Sequence, residues 1–171
     1  MRLAIGCDDT GFDLKQAVQS YLAETRDDVD LIDIGMTDAK TVLDYHVVAA
    51  DAARRLQRGE VDRALLFCGT GMGVAIVANK FKGVYASVVE TEFTAQFSRL
   101  INASNVLAIG GWVITPYRAQ RIAADWLDTA FAAGHAEVEE YADFLKDALK
   151  EIRELEEENF AKPVAPIKIA S

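Results

Sequence analysis

The chain has 171 residues, about half of them apolar, and a formal net charge of −9. That length suits one domain with a real core, and no apolar run approaches the ~20 residues a bilayer crossing needs. The acidity argues against nucleic acid, whose phosphates demand clustered Lys and Arg, and two cysteines are too few for a disulfide framework.

The N-terminal MRLAIGCDD has too short an apolar run for a signal peptide, so the expected compartment is the cytoplasm, where Cys7 and Cys68 stay as thiols. Residues 2–7 read as a strand that ends at Asp8-Asp9-Thr10-Gly11, a helix-starting turn. Phe12, Leu14, Val18 and Leu22 then recur at near-helical spacing to about residue 25. VDLIDI (29–34) alternates apolar and acidic residues, as a half-exposed strand does, and Gly35 stops it. Val47, Val48, Ala50 and Leu56 mark a second helix closed by Gly59, and ALLFC (64–68) is a continuous apolar run suited to a strand covered on both faces. GTGMG follows, then an apolar helix to about Phe81, a strand at 84–89, a helix at 91–102 and a strand at 106–109. Thr115-Pro116 suits the cap and first turn of a helix over 116–131.

Strand and helix alternating five times predict an α/β fold, a five-stranded parallel sheet with helices on both faces. Ligands of such sheets bind outside the carboxyl ends of the strands. The residues to examine are therefore Cys7 to Thr10, the loop 35–46, Cys68 to Gly73, Glu90 to Glu92, and Gly110 to Trp112. Residues 137–160 form a separate pattern, an acidic amphipathic helix with Tyr141, Phe144, Leu145, Leu149, Ile152 and Leu155 on one stripe. Its acidic polar face would be repelled by anionic lipid, so it is expected to lie on its own domain or on a partner subunit rather than on a membrane. The division is 1–135 for the domain and 136–171 for this helix and a tail, KPVAPIKIAS, that trails along a surface.

The strongest local signal is Cys68-Gly69-Thr70-Gly71-Met72-Gly73. Alternating glycines between a buried strand and a helix can turn several backbone N–H groups toward one point, where an anion or an oxygen gaining negative charge is stabilised. The same field favours the thiolate of Cys68. A strand-end cysteine is also an ordinary small buried residue. The loop lacks the Gly-Lys-Ser/Thr ending of a phosphate-binding nucleotide loop, and it follows the third strand with G-x-G-x-G spacing, which disfavours a nicotinamide site. Asp8 and Asp9 are placed to hold sugar hydroxyls, although a helix start needs a capping residue there, most simply Asp9. Asp44-Tyr45-His46 sets a carboxylate, a phenol and an imidazole in a row. Asn79, Asn102 and Asn105 offer amides, with turn formation the plain account of the last two. His46, His135, Cys7 and Cys68 show no metal-ligand spacing.

With these residues in view, the chain resembles the ribose-5-phosphate isomerase B and galactose-6-phosphate isomerase family. The matches run in order from residue 2 to about 131: IGCDDTGFDLK, Asp44-Tyr45, DRALLFCGTGMGVAIVANKFKGV and NASNVLAIGG. The resemblance implies a Rossmann-like three-layer sandwich, a homodimer or dimer of dimers with interfacial sites, no metal and no cofactor. It implies that Cys68 is the base moving a proton between C1 and C2 of a sugar or sugar phosphate through a cis-enediolate, with Thr70 beside it. The amides of Gly69, Gly71, Met72 and Gly73 hold the enediolate oxygen, and Asp8, Tyr45 and Asn102 contact the sugar, with Asp9 in the same turn. The chemistry agrees with the loop's own character, since a C–H acid yields its proton only when the adjoining oxyanion is stabilised.

Four positions depart from the family pattern. Asp9 stands for a phosphate-binding His, Ile101 for the ring-opening His, and Trp112 for an Arg after the Gly-Gly of strand five. Ala133-Gly134-His135-Ala136 stands for a segment that supplies phosphate-binding Arg. Together they remove most of the expected phosphate clamp. The expected substrate is therefore open-chain or lacks the standard terminal phosphate, a tetrose derivative or a keto-deoxy-uronate for example. The alternatives are a subunit that needs a second, different chain, as in galactose-6-phosphate isomerase, and a sugar-binding module without chemistry.

Overall fold

The computed structural model describes residues 1–38 and 40–162, so the tail beyond Lys162 lies outside the described residues. Its five strands are β1 (Arg2–Cys7), β2 (Asp30–Asp33), β3 (Arg63–Cys68), β4 (Ala86–Val88) and β5 (Val106–Gly110). They pair in parallel in the order β2-β1-β3-β5-β4. The helices are α1 (Phe12–Thr25), α2 (Tyr45–Gln57), α3 (Met72–Ala78), α4 (Glu92–Leu100), α5 (Pro116–Asp128), α6 (Ala136–Glu139) and α7 (Ala142–Asn159).

Alternation along the strands builds two cores. Leu3, Ile5, Cys7, Leu65, Phe67, Leu107 and Ile109 face α1, α4 and α5, whose Val18, Leu22, Ala95, Ile122 and Trp126 cover them. Ala4, Leu66, Cys68, Val106 and Ala108 face α2 and α3, through Val48, Ala52, Val74 and Ala78. The chain is thus a three-layer α/β sandwich, as expected. The two cysteines end neighbouring strands yet point to opposite layers. No described helix is long and apolar enough to cross a membrane.

The fourth strand and the helix before it are shorter than their apolar runs predict. Asn79 explains both: its side chain accepts from the Ala86 N–H at 2.8 Å and donates to the Ala86 carbonyl at 2.9 Å, ending α3 at Ala78 and opening β4 late. Asn105 repeats the device, taking the Tyr85 N–H at 2.8 Å and donating to the Gly83 carbonyl at 2.8 Å. These two amides are spent on backbone and are not free for a ligand.

The expected single helix over 137–160 is two pieces. The Tyr141 N–H bonds the Val138 carbonyl three residues back, a tightened turn that separates α6 from α7. Val138 and Leu145 bury against Leu100 and Ala132, while Tyr141, Phe144, Ile152 and Leu155 stay exposed. Glu156 fastens α7 to its own chain, accepting from the Gly83 N–H at 3.1 Å and the Tyr85 hydroxyl at 3.0 Å.

Candidate functional site

β1, β3 and β5 deliver their carboxyl ends to one place. Cys7 pairs with Phe67, Cys68 pairs with Gly110, and the Asp8 N–H bonds the Phe67 carbonyl. Beyond the strands, the Gly111 N–H bonds the Cys68 carbonyl at 2.8 Å and the Trp112 N–H bonds the Gly69 carbonyl at 2.9 Å, so the loops after β3 and β5 are tied together.

Cys68 closes β3 with its sulfur toward the loop it precedes. The Gly71 N–H reaches that sulfur at 3.2 Å. Gly71 holds φ of +77°, a left-handed turn that suits glycine and swings the loop back over the strand end. Thr70 is exposed, and its hydroxyl accepts from the Met72 N–H at 3.3 Å. Met72 opens α3 and is 56% exposed. Cys68 itself is almost covered within a single chain, as are Gly69 and Gly71, while Thr70 and Met72 of the same loop are exposed.

Cys7 is the contrasting thiol. It is fully buried on the α1 and α5 side, and burial pushes it up to about 11. Burial outweighs the Lys15 charge and the Met36 backbone, which pull the Cys7 thiol down.

Asp8 is buried and takes the capping role that Asp9 was expected to fill. Its carboxylate accepts from the Gly11 N–H at 3.1 Å and the Thr10 hydroxyl at 2.7 Å. Asp9 is exposed and accepts only from the N–H of its neighbour Thr10, leaving its charge at the mouth of the first turn. Tyr45, in the first turn of α2, packs its ring on the Cα of Gly73, where a Cβ would sit 2.9 Å from the ring. His46 stands edge-on to that ring, with centroids 5.4 Å apart.

Asn102 is the one residue the fold keeps away. It lies between α4 and β5, at the amino edge of the sheet, whereas Cys68 sits at the carboxyl edge opposite Gly110. The length of β5, about 13 Å at ~3.3 Å per residue, separates the two ends. Asn102 is exposed there, in a shallow cavity of about 150 Å³ shared with Ile101, Phe144 and Leu149. Another hollow at that end, of about 220 Å³, gathers Asp125, Asp128 and His135 and suits no anion. Among the described residues no group of three acidic, His or Cys side chains is placed to hold a metal.

Two residues near the site carried no role in the sequence reading. Lys15 is fully buried, with its ammonium on Asp33 and on the Met36 carbonyl at 2.8 Å, and so ties α1 to the exit of β2. Its signal was its place on the buried stripe with Val18 and Leu22. Trp112 was marked only as a missing Arg. It is 73% exposed, and its ring covers Gly69, where a Cβ would lie 2.8 Å from it.

The family model described as Ribose/Galactose Isomerase matches residues 3–154. The chain belongs to this family. It is therefore an isomerase. It is 40% identical to the 4-deoxy-4-sulfo-D-erythrose isomerase of Clostridium sp. (strain MSTE9) over 162 residues, 95% of this chain and 99% of that one. It is 37% identical to D-erythrulose-4-phosphate isomerase 2 of Mycolicibacterium smegmatis, across 77% of this chain and 86% of that protein. The solved structure of Clostridium thermocellum ribose-5-phosphate isomerase B superposes with a TM-score of 0.81 at 30% identity, covering 92% of this chain and 99% of the other. The Ribose/Galactose Isomerase assignment thus rests on sequence and on fold together.

Proposed function

We propose that this isomerase interconverts a four-carbon, open-chain aldose and its ketose, with Cys68 as the base. The observation that carries the reading is the Gly71 amide on the Cys68 sulfur. That N–H holds the sulfur toward the glycine loop, where a substrate carbon can reach it. The neighbouring loop amides stand ready for the oxygen that becomes negative when C2 loses its proton. The thiolate takes the proton from C2 of the aldose, leaving the charge on O1 of the cis-enediolate; the hydroxyl proton of O2 passes to O1, and the resulting thiol returns its proton to C1 to leave the ketose. Thr70 stands exposed beside the sulfur, Asp8 and Tyr45 flank the loop, and these are the sugar's polar and stacking contacts.

Two features support a short substrate with an unusual terminal group. Asp9 sets a negative charge at the turn and Trp112 fills the position beyond β5, so neither offers a cation, which disfavours a phosphate of about −1.5 to −2 charge more than a singly charged sulfonate. A four-carbon aldehyde with a group other than hydroxyl on C4 has no ring to open, which removes the need for an imidazole at Ile101. The relative aligned along nearly the full chain is named for a four-carbon sugar carrying a sulfonate on C4, and 4-deoxy-4-sulfo-D-erythrose is the substrate we assign.

The site is completed by a second copy of the chain. Asn102 is too far from its own Cys68 to share a sugar with it, and it is exposed. A homodimer that apposes the two sheet edges puts the Asn102 of one protomer at the loop of the other.

Steady-state turnover of 4-deoxy-4-sulfo-D-erythrose, D-erythrulose 4-phosphate and D-ribose 5-phosphate by the purified chain tests the assignment. The four-carbon sulfonate is expected to give the highest kcat/KM. Strong activity on ribose 5-phosphate alone rejects it.

A further inference from the structure

The catalytic loop is bracketed by two aromatic rings. Tyr45 lies against Gly73 at one end, and Trp112 lies against Gly69 at the other, one residue from Cys68. The two contacts differ in what holds them. Tyr45 is anchored in the first turn of α2. The indole of Trp112 hangs from a backbone pinned by its N–H to the Gly69 carbonyl, and 73% of its surface remains uncovered. The molecule buries its other tryptophan completely and satisfies the indole N–H with the Ser104 hydroxyl at 2.8 Å. An indole left open beside a reactive thiol has both a flat apolar face and a free donor edge to offer a ligand.

We propose that Trp112 is the residue that sets the length of sugar this site accepts. With C1 and C2 at the Cys68 sulfur, the ring face stacks on the C–H face of the sugar, and its bulk occupies the space a fifth carbon would need. This rests on the four-carbon reading above and extends it to a named residue. The Trp112 N–H bond fixes the backbone from which the ring hangs, and the Gly69 Cα beneath the ring blocks its movement toward the loop. The closeness runs both ways: a Cβ on Gly69 would meet the ring at 2.8 Å and push it off the loop.

The chain holds two tryptophans, and only Trp112 is open to solvent, so its emission reports on the site. In Cys68→Ser protein, which binds without turnover, titration with 4-deoxy-4-sulfo-D-erythrose is expected to change the emission. Trp112→Phe on the same background removes that change. Trp112→Ala in the active enzyme is expected to raise the ratio of kcat/KM for D-ribose 5-phosphate over the four-carbon sulfonate by about tenfold or more, the scale of one carbon's discrimination. Trp112→Phe is expected to restore most of the preference. An unchanged ratio in Trp112→Ala, or emission insensitive to the sugar, overturns the proposal. If the unaltered enzyme turns over neither sugar, the four-carbon assignment itself has failed. The titration then decides Trp112 alone: a ligand-dependent change upholds it as a binding wall, and none rejects it.

Discussion

The backbone N–H of Gly71 points at the sulfur of Cys68 across 3.2 Å, and the chain takes a left-handed turn at Gly71 to place it there. Any side chain at this position strains the turn and brings a Cβ to 3.2 Å from the backbone of Ala108 and Ile109. Gly71→Ala is expected to cost about 1–2 kcal/mol in stability from the left-handed conformation. With the amide displaced from the sulfur and the loop shifted, kcat should fall by about 100-fold, on the order of one positioned active-site donor lost. Denaturant midpoints give the first and steady-state rates the second. A folded variant with unchanged kcat shows that this amide has no part in catalysis.

Lys15 and Asp33 lock the first helix to the exit of β2, just before the segment that leads to Tyr45. Lys15→Met leaves a partly covered carboxylate unpaired and the Met36 carbonyl without its donor. The expected loss is about 2–3 kcal/mol, the lower end for a broken buried pair because Asp33 keeps some contact with water. Urea unfolding measures it; a loss below about 0.5 kcal/mol, as an exposed pair would give, contradicts the reading.

Cys7 makes stability fall at high pH. Its thiol sits at about 11 in the fold against 9.0 unfolded, because burial disfavours the thiolate. Between those values the folded state holds a proton that the unfolded state has released, so stability declines as pH rises through about 9 to 11. Two pKa units amount to about 2–3 kcal/mol. Cys7→Ala should flatten this part of the stability profile. An unaltered slope assigns the decline to other groups.

Asn102 and Cys68 lie at opposite ends of one sheet, so the proposed site joins them from different protomers. Cys68→Ser and Asn102→Ala proteins, each impaired alone, are expected to regain activity when unfolded together and refolded. Random pairing of equal amounts puts both native residues in about a quarter of the sites of a twofold dimer. No recovery rejects a shared site.

The alternation of short apolar runs with helical stripes made the five strands and their parallel pairing legible in the sequence. The place of the Cys68 loop, between β3 and α3 at the carboxyl edge of the sheet, was legible too, because its glycines end one apolar run and precede the next. Where reading failed, side chains had taken over backbone duties. Asn79 and Asn105 replaced ladder partners around β4, and Asp8 rather than Asp9 capped the first turn. Period alone does not show such local substitutions. The exposed Trp112 over Gly69 was equally hidden, since the two residues are far apart in sequence and meet only when β3 and β5 pair.

Proton exchange at the sugar's C1 and C2 reports on the Cys68 thiolate most directly. Isomerisation of 4-deoxy-4-sulfo-D-erythrose in D2O, followed by NMR, is expected to give ketose labelled at C1 with the native enzyme. Folded Cys68→Ser protein should give neither ketose nor label. Ketose formed by the Cys68→Ser protein at a comparable rate would contradict the assignment of Cys68 as the base.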